Sequence, residues 1–291
     1  MTPPSAFGGR CFRELFEKPG DWSETRSRIR GLCYADHMLN RQFTDPELGR
    51  WLPRIREWGL RFALEVGAVK PWGATGQAAF EAQRPMWERF RRLGGRIDAV
   101  ALDEPLCCAT DVLKKPMAYA VEETARFIAL VRGAYPEMQI GDIEPYPSQD
   151  APALATWLDA LQARLKALGV RGLDFFQLDV DSVNFTVGNP GGWTGVRRVE
   201  EACRSRGIPF ALLYWAADQP HLAARGLADE SAWYLGMMHQ AGDYAIVGGA
   251  PDRAVIQSWL EAPSHSVPET GDWTFTRSVR DFCRRFAPRG R

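Results

Sequence analysis

Ile97-Asp98-Ala99-Val100-Ala101-Leu102-Asp103-Glu104-Pro105 is a short apolar run that ends abruptly in two carboxylates and a proline. A run of this kind, bounded by turn signals, is how a parallel strand covered on both faces reads. Such a strand cannot desolvate two acids in its middle, so Asp103 and Glu104 belong at its wet end. The same grammar recurs in Phe62-Ala63-Leu64-Glu65-Val66-Gly67, in Gln139-Ile140-Gly141-Asp142-Ile143-Glu144-Pro145 and in Phe175-Phe176-Gln177-Leu178-Asp179-Val180-Asp181. Four strands thus carry acids toward what is expected to be one place.

Outward from these runs, strands alternate with helices through short connections, and no linker, repeat or low-complexity stretch divides residues 1–291. Further strands are expected at Ile29–Ala35, Pro209–Trp215 and Ala254–Leu260. A helix is expected to open at Asp45 as cap with Pro46 behind it. Another is capped by Asp150 and presents Leu154, Trp157, Leu158, Leu161, Leu165 and Leu168 on one face. The order predicts a single (β/α)₈ barrel of the TIM type, yet only seven strands are readable. An atypical first strand within Met1–Cys11, or none at all, accounts for the eighth. An open doubly wound sheet is the rival, and its GxGxxG phosphate fingerprint is missing.

Composition removes several partner classes. The 36 basic and 36 acidic side chains leave no net charge to draw nucleic acid or anionic lipid. The six cysteines show neither CxxC pairs nor metal spacing and read as free thiols. With no apolar leader and no apolar stretch of membrane-spanning length, a cytoplasmic location is expected, or a secreted one if a signal segment precedes this sequence. The number of subunits is not legible.

Strand side chains alternate, so each acid takes a face from its neighbours. Phe62, Leu64 and Val66 suit the helix layer, which leaves Glu65 inward. Val100 and Leu102 go outward, so Asp103 points in and Glu104 sits on the lip. Asp142 and Glu144 share a parity, and the cost of burying both against helices predicts that they point inward too. Phe176, Leu178 and Val180 face out, which puts Asp179 and Asp181 inside. Gln257, Trp259 and Glu261 are expected at the mouth, with Tyr34 and Trp215 as further aromatic walls. So many carboxylates cannot all ionise together, and their pKa values should be driven apart as acid/base chemistry requires. One acid at one strand end is more often a cap or an arginine partner; the repetition argues for a site. Asp98 and Asp174, at strand beginnings, read as structural. The four histidines form no HxH or HExxH pattern, and Asn189–Gly195 ahead of a helix reads as a mobile loop at the mouth, with backbone amides for an anion as the alternative.

The strand ending in Asp103-Glu104-Pro105 resembles the Asn-Glu-Pro strand end of the large retaining glycoside hydrolase clan built on (β/α)₈ barrels. That resemblance implies the acid/base role for Glu104 and the neighbouring asparagine's role for Asp103. It places Glu104 on the fourth strand if one strand precedes Ile29. The strand Phe210–Trp215, where the clan carries its nucleophile, ends without a glutamate, and only Asp218 follows. The acid-rich string Leu173–Asp181 is similar to that of chitinase-like barrels, without their closing glutamate.

The resulting expectation is a carbohydrate-active barrel acting on a small carbohydrate or polyol. Glu104 protonates the glycosidic oxygen, and Glu144 or Asp179 serves as nucleophile or as base for water. Glu65, Asp103, Asp142, Asp181, Tyr34, Trp215, Gln257 and Trp259 bind substrate, with no cofactor or metal. Two alternatives stand beside it: an isomerase or lyase using Mg²⁺ or Mn²⁺ held by Glu65, Asp142, Glu144 and Asp179, and a saccharide-binding barrel without turnover.

Overall fold

The expected strands form one parallel sheet in sequential order, β1 (Gly31–Ala35), β2 (Arg61–Val66), β3 (Ala99–Asp103), β4 (Gln139–Tyr146), β5 (Phe175–Val180), β6 (Phe210–Tyr214) and β7 (Arg253–Ile256). The computed structural model describes residues 1–186 and 192–286, so residues 189–191 of the loop expected at the mouth lie outside the described residues. Helices α1 (Arg10–Glu17) and α2 (Ser23–Arg28) precede the sheet, and α3 (Asp36–Gln42) and α4 (Asp45–Glu57) join β1 to β2. Then come α5 (Gly76–Arg92), the short turn α6 (Pro105–Cys107), α7 (Met117–Ala134), α8 (Ala151–Ala167) and α9 (Gly192–Ser205). The chain closes with α10 (Gln219–Ala224), α11 (Ala232–Ile246) and α12 (Phe275–Phe286). This is a single α/β domain of the TIM-barrel type. No described helix is long and apolar enough to cross a membrane.

The eighth position is held by two residues. Cys33 N–H donates to the Met1 carbonyl (2.9 Å) on one side, while Thr2 N–H donates to the Ile256 carbonyl (2.8 Å) on the other. Ser258 N–H returns to the Thr2 carbonyl (3.2 Å), so Thr2 pairs parallel with Gln257 and the gap between β7 and β1 is spanned. The carboxyl ends of all seven strands therefore face one rim.

At the opposite rim the strands begin on aspartates. Asp98 accepts from Phe62 N–H (2.9 Å), Asp174 from Ile140 N–H (2.7 Å) and Asp252 from Phe210 N–H (2.9 Å), each satisfying an amide at the first or second residue of the strand before it. This bears out the structural reading of Asp98 and Asp174. The core lies between the sheet and the helices: Phe62, Leu64, Val100, Leu102, Ile140, Phe176, Leu178, Phe210 and Leu212 meet helix residues such as Trp87, Phe127, Trp157 and Leu161. The leucine face of α8 is buried as expected except for Leu168, which is 40% exposed. On α4 the cap is Thr44 rather than Asp45, because Thr44 and Glu47 bond reciprocally in a capping box.

Inside the barrel a small apolar floor of Ala101, Ile143 and Phe175 supports the mouth. Gly141 faces the same interior, and a Cβ there would sit 2.0 Å from the Phe175 ring. Gly141→Ala is therefore expected to lower unfolding free energy by about 1–3 kcal/mol, the usual range for overpacking a filled core. Urea denaturation followed by tryptophan fluorescence checks this, and an unchanged midpoint would contradict the packing described.

Candidate active site

Three strand ends deliver carboxylates to one cavity of about 320 Å³, lined by Glu65, Asp103, Glu104, Asp179, Gln257, Trp259, Tyr34 and Ser5 among others. Pairing fixes the faces, since directly paired residues of a parallel sheet point the same way. Glu65 pairs with Ala101 and Asp179 with Leu213, all of the inward set. These placements agree with the alternation in the sequence.

Asp142 and Glu144 are where that reading fails. Asp142 pairs with Leu102 and Phe176, and Glu144 pairs with Leu178, so both face the helices, fully buried and away from the cavity. The burial cost that argued against this is offset by donors remote in sequence. Trp157 on α8 gives its indole N–H to Asp142 (2.7 Å). Glu144 accepts the backbone N–H of Leu106 (2.6 Å) and of Cys107 (3.1 Å), one on each oxygen. Ile143, between them, lines the cavity in their place. The metal set drawn from the sequence is thereby split, with Glu65 and Asp179 inside and Asp142 and Glu144 outside.

Asp181 also leaves the site, turning to Val183 N–H (3.2 Å) and the Asn184 amide (2.6 Å) at the start of the following turn. Tyr34 borders the cavity, but its ring packs 4.7 Å from that of Phe12 and its hydroxyl donates to Gln42 (2.8 Å). Trp215 stands behind Trp259, with ring centroids 4.6 Å apart at 33°, and is fixed by its indole N–H on the Val180 carbonyl (3.0 Å). Trp259 is 39% exposed at the rim, where it presents an open aromatic face. Glu261 and Asp218 do not line the cavity.

Lys70 is the functional residue that the sequence reading missed. It lies in the turn after β2, closed by Lys70 N–H to the Gly73 carbonyl (3.1 Å), and its ammonium reaches Asp103 at 2.5 Å. Gly67 permits this, since a Cβ there would strike the Lys70 chain at 2.7 Å. A glycine followed by a lone lysine in a loop was the only signal available.

Glu104 has a left-handed backbone, φ 51° and ψ 51°, which costs an ordinary residue roughly 1–2 kcal/mol and marks a position held by its surroundings. Its side chain makes no hydrogen bond or ion pair among the described residues. Burial, then Asp103, raise its pKa, with Lys70 opposing. Glu65 is pushed up to about 7 by burial and then by Asp103, although Gln257 donates to it at 2.7 Å. Asp179 is raised well above the ordinary range by burial, with Glu104, Glu65 and Asp103 adding to it, and its Oδ1 is buried without a hydrogen-bond partner among the described residues. Lys70 keeps its charge: burial works against it, and Asp103 and Glu104 outweigh burial.

No family model matches the sequence, and no curated protein matches it. Solved structures do. Xylanase10C of Cellvibrio japonicus in complex with xylopentaose matches at 11% identity and TM-score 0.54, over 92% of this chain and 64% of that one. AbfB, a family 51 α-L-arabinofuranosidase from Bifidobacterium longum, matches at 10% identity and TM-score 0.54, over 97% and 72%. The GH53 catalytic domain of Ignisphaera aggregans matches at 11% and 0.52, over 87% and 85%. An aldolase and an aldo-keto reductase from Klebsiella pneumoniae also match, at TM-scores of 0.43 and 0.49. At such identities the likeness is one of fold, and the fold carries several chemistries.

The raised carboxyls have a consequence for stability. Asp36, Glu65, Glu104, Asp142, Glu144 and Asp179 all bind protons more tightly folded than unfolded, with burial first among the causes for each, whereas burial lowers His37 and the Met1 amino group, which oppose them. Their contribution is complete below the unfolded carboxyl pKa and is lost as pH rises through the folded values, about 7 for Glu65 and about 8 for Asp142. Unfolding free energy is therefore expected to fall from pH 5 to pH 8. Asp142→Asn, which keeps an acceptor for Trp157, should reduce that slope by up to about one proton. Urea titrations at several pH values measure it, and a slope of opposite sign would refute the assignment.

Proposed function

We propose that this chain acts on a glycosidic bond of a small saccharide, with Glu104 and Asp179 as its proton-transferring carboxyls. The observation that carries the reading is the convergence of Glu65, Asp103, Glu104 and Asp179 on one cavity beside an exposed Trp259, with Lys70 the only ion-pair partner of any of them among the described residues. An aromatic face at a cavity rim suits the apolar face of a sugar ring. Carboxyl pairs whose environments separate their proton affinities suit acid/base work on the leaving oxygen. Counting the Met1–Thr2 segment as the first strand, Glu104 ends the fourth, as the glycoside hydrolase resemblance implies. Two of the fold's solved relatives, the xylanase holding xylopentaose and the arabinofuranosidase, bear names that point to glycans.

The reading departs from that clan at the nucleophile. Beyond β6 stand Trp215 and Ala216, and Asp218 lies off the cavity. Asp179 on β5 is then the second carboxyl, and Glu65 the third. Water activated by one of them, or attack by a group of the substrate itself, replaces the clan's covalent step.

Glu104→Gln and Asp179→Asn are each expected to cut kcat on an aryl glycoside by at least about 100-fold, in keeping with the weight of general acid/base catalysis. Trp259→Ala should raise KM with kcat changed less. A Glu104→Gln variant turning over at the wild-type rate would end this assignment. Proton NMR of the first-formed anomer distinguishes retention from inversion.

A further inference from the structure

We propose that Glu144 is the positioning residue that sets the Glu104 carboxyl in the cavity, and that it does so by capping the turn that follows Glu104. The inference rests on Glu104 being the proton-transfer group. Four residues, Glu104 to Cys107, form the bend between β3 and the helical turn α6, and Pro105 has no N–H to give. Each of the other three N–H groups goes to the same dipeptide of the neighbouring strand: Glu104 N–H to the Ile143 carbonyl (3.0 Å), Leu106 N–H to one Glu144 oxygen (2.6 Å) and Cys107 N–H to the other (3.1 Å). The bend is thus templated by β4 and by nothing else on its donor side.

The usual arrangement at a helical N-terminus has the preceding residue's own side chain accept those amides. Glu104 holds that preceding place, yet its side chain caps nothing. Glu144 supplies the cap from the adjacent strand, which frees the Glu104 side chain to enter the cavity. It also fixes the left-handed backbone that aims it there, φ 51°. Among the described residues Glu144 has no cation beside it, and it is fully buried, so neither packing nor a salt bridge explains a carboxyl group at this point. The titratable groups facing it are Asp142 from its own strand, Glu104 and Cys107 from the bend, and Cys108 just after it. Each Glu144 oxygen accepts one of the two donors, Leu106 and Cys107, and a carboxyl that carries a proton still keeps a lone pair on both oxygens for them.

Glu144→Gln keeps the size and offers one acceptor, turning an amide N–H₂ against the second donor. With the protein labelled at glutamate carboxyl carbons, the Glu104 resonance is assigned by its loss in Glu104→Gln and followed through pH. The variant is expected to remain folded, to shift or split the Glu104 titration, and to lose kcat by about 10- to 100-fold with KM nearly unchanged, the signature of a misplaced group. A folded Glu144→Gln variant whose Glu104 titrates as in the wild type overturns the proposal. Should the variant not fold, the wild type decides: the Leu106 and Cys107 amide protons must be shifted downfield and protected from exchange, and unprotected amides overturn it equally. Because the titration needs no substrate, a Glu104 resonance that responds while no glycoside is cleaved keeps the positioning role and removes the function proposed above.

Discussion

A strand packed between helices on one side and a filled lumen on the other meets no water until it ends, and this constraint organises the molecule. Charge is excluded from the body of the sheet unless it brings its own donors. It gathers at the two rims: aspartates that satisfy the opening amides at one, and Glu65, Asp103, Glu104 and Asp179 at the other. Closure of the ring by Met1 and Thr2 completes the rim around those last four, carrying Gln257 and Trp259, just beyond the last strand, round to Glu65 of the second.

The fold was legible because its signals are local. Alternation within β2, β3 and β5 assigns Glu65, Asp103 and Asp179 to the lumen without reference to any other part of the chain. The same rule misleads for β4. Parity says only that Asp142 and Glu144 share a face; which face depends on the register with β3 and β5. Desolvation cost is a sound argument for the lumen only while no donors await outside. The donors are the Trp157 indole, 15 residues ahead of Asp142, and two amides 38 and 37 residues before Glu144. Nothing in the strand announces them. Bonds between elements are what a linear reading lacks.

Two other features were illegible for a different reason. Two residues cannot display a period, so the Met1–Thr2 segment carries no strand signal although it completes the barrel with hydrogen bonds on both sides. Lys70 belongs to a turn, and its reach to Asp103 depends on the bare backbone of Gly67. Such positions declare themselves only once the elements they connect are in place.

The electrostatics of the cavity bear on what it can hold. An acidic composition invites the thought of a cation, yet the groups are not free anions. Asp103 is matched by Lys70, and Asp179, with an oxygen buried and unpartnered, keeps its proton well above the ordinary carboxylate range. Glu65 is half protonated at about pH 7, and burial followed by Asp103 raises Glu104 as well. Near neutrality the cavity is therefore much closer to uncharged than its composition implies, and its carboxyls offer O–H donors as well as acceptors. A ligand rich in hydroxyl groups meets both halves of that requirement, giving and taking hydrogen bonds without displacing a counter-ion. Hydrogen-bonding capacity, rather than net negative charge, is therefore what the cavity presents beside Trp259.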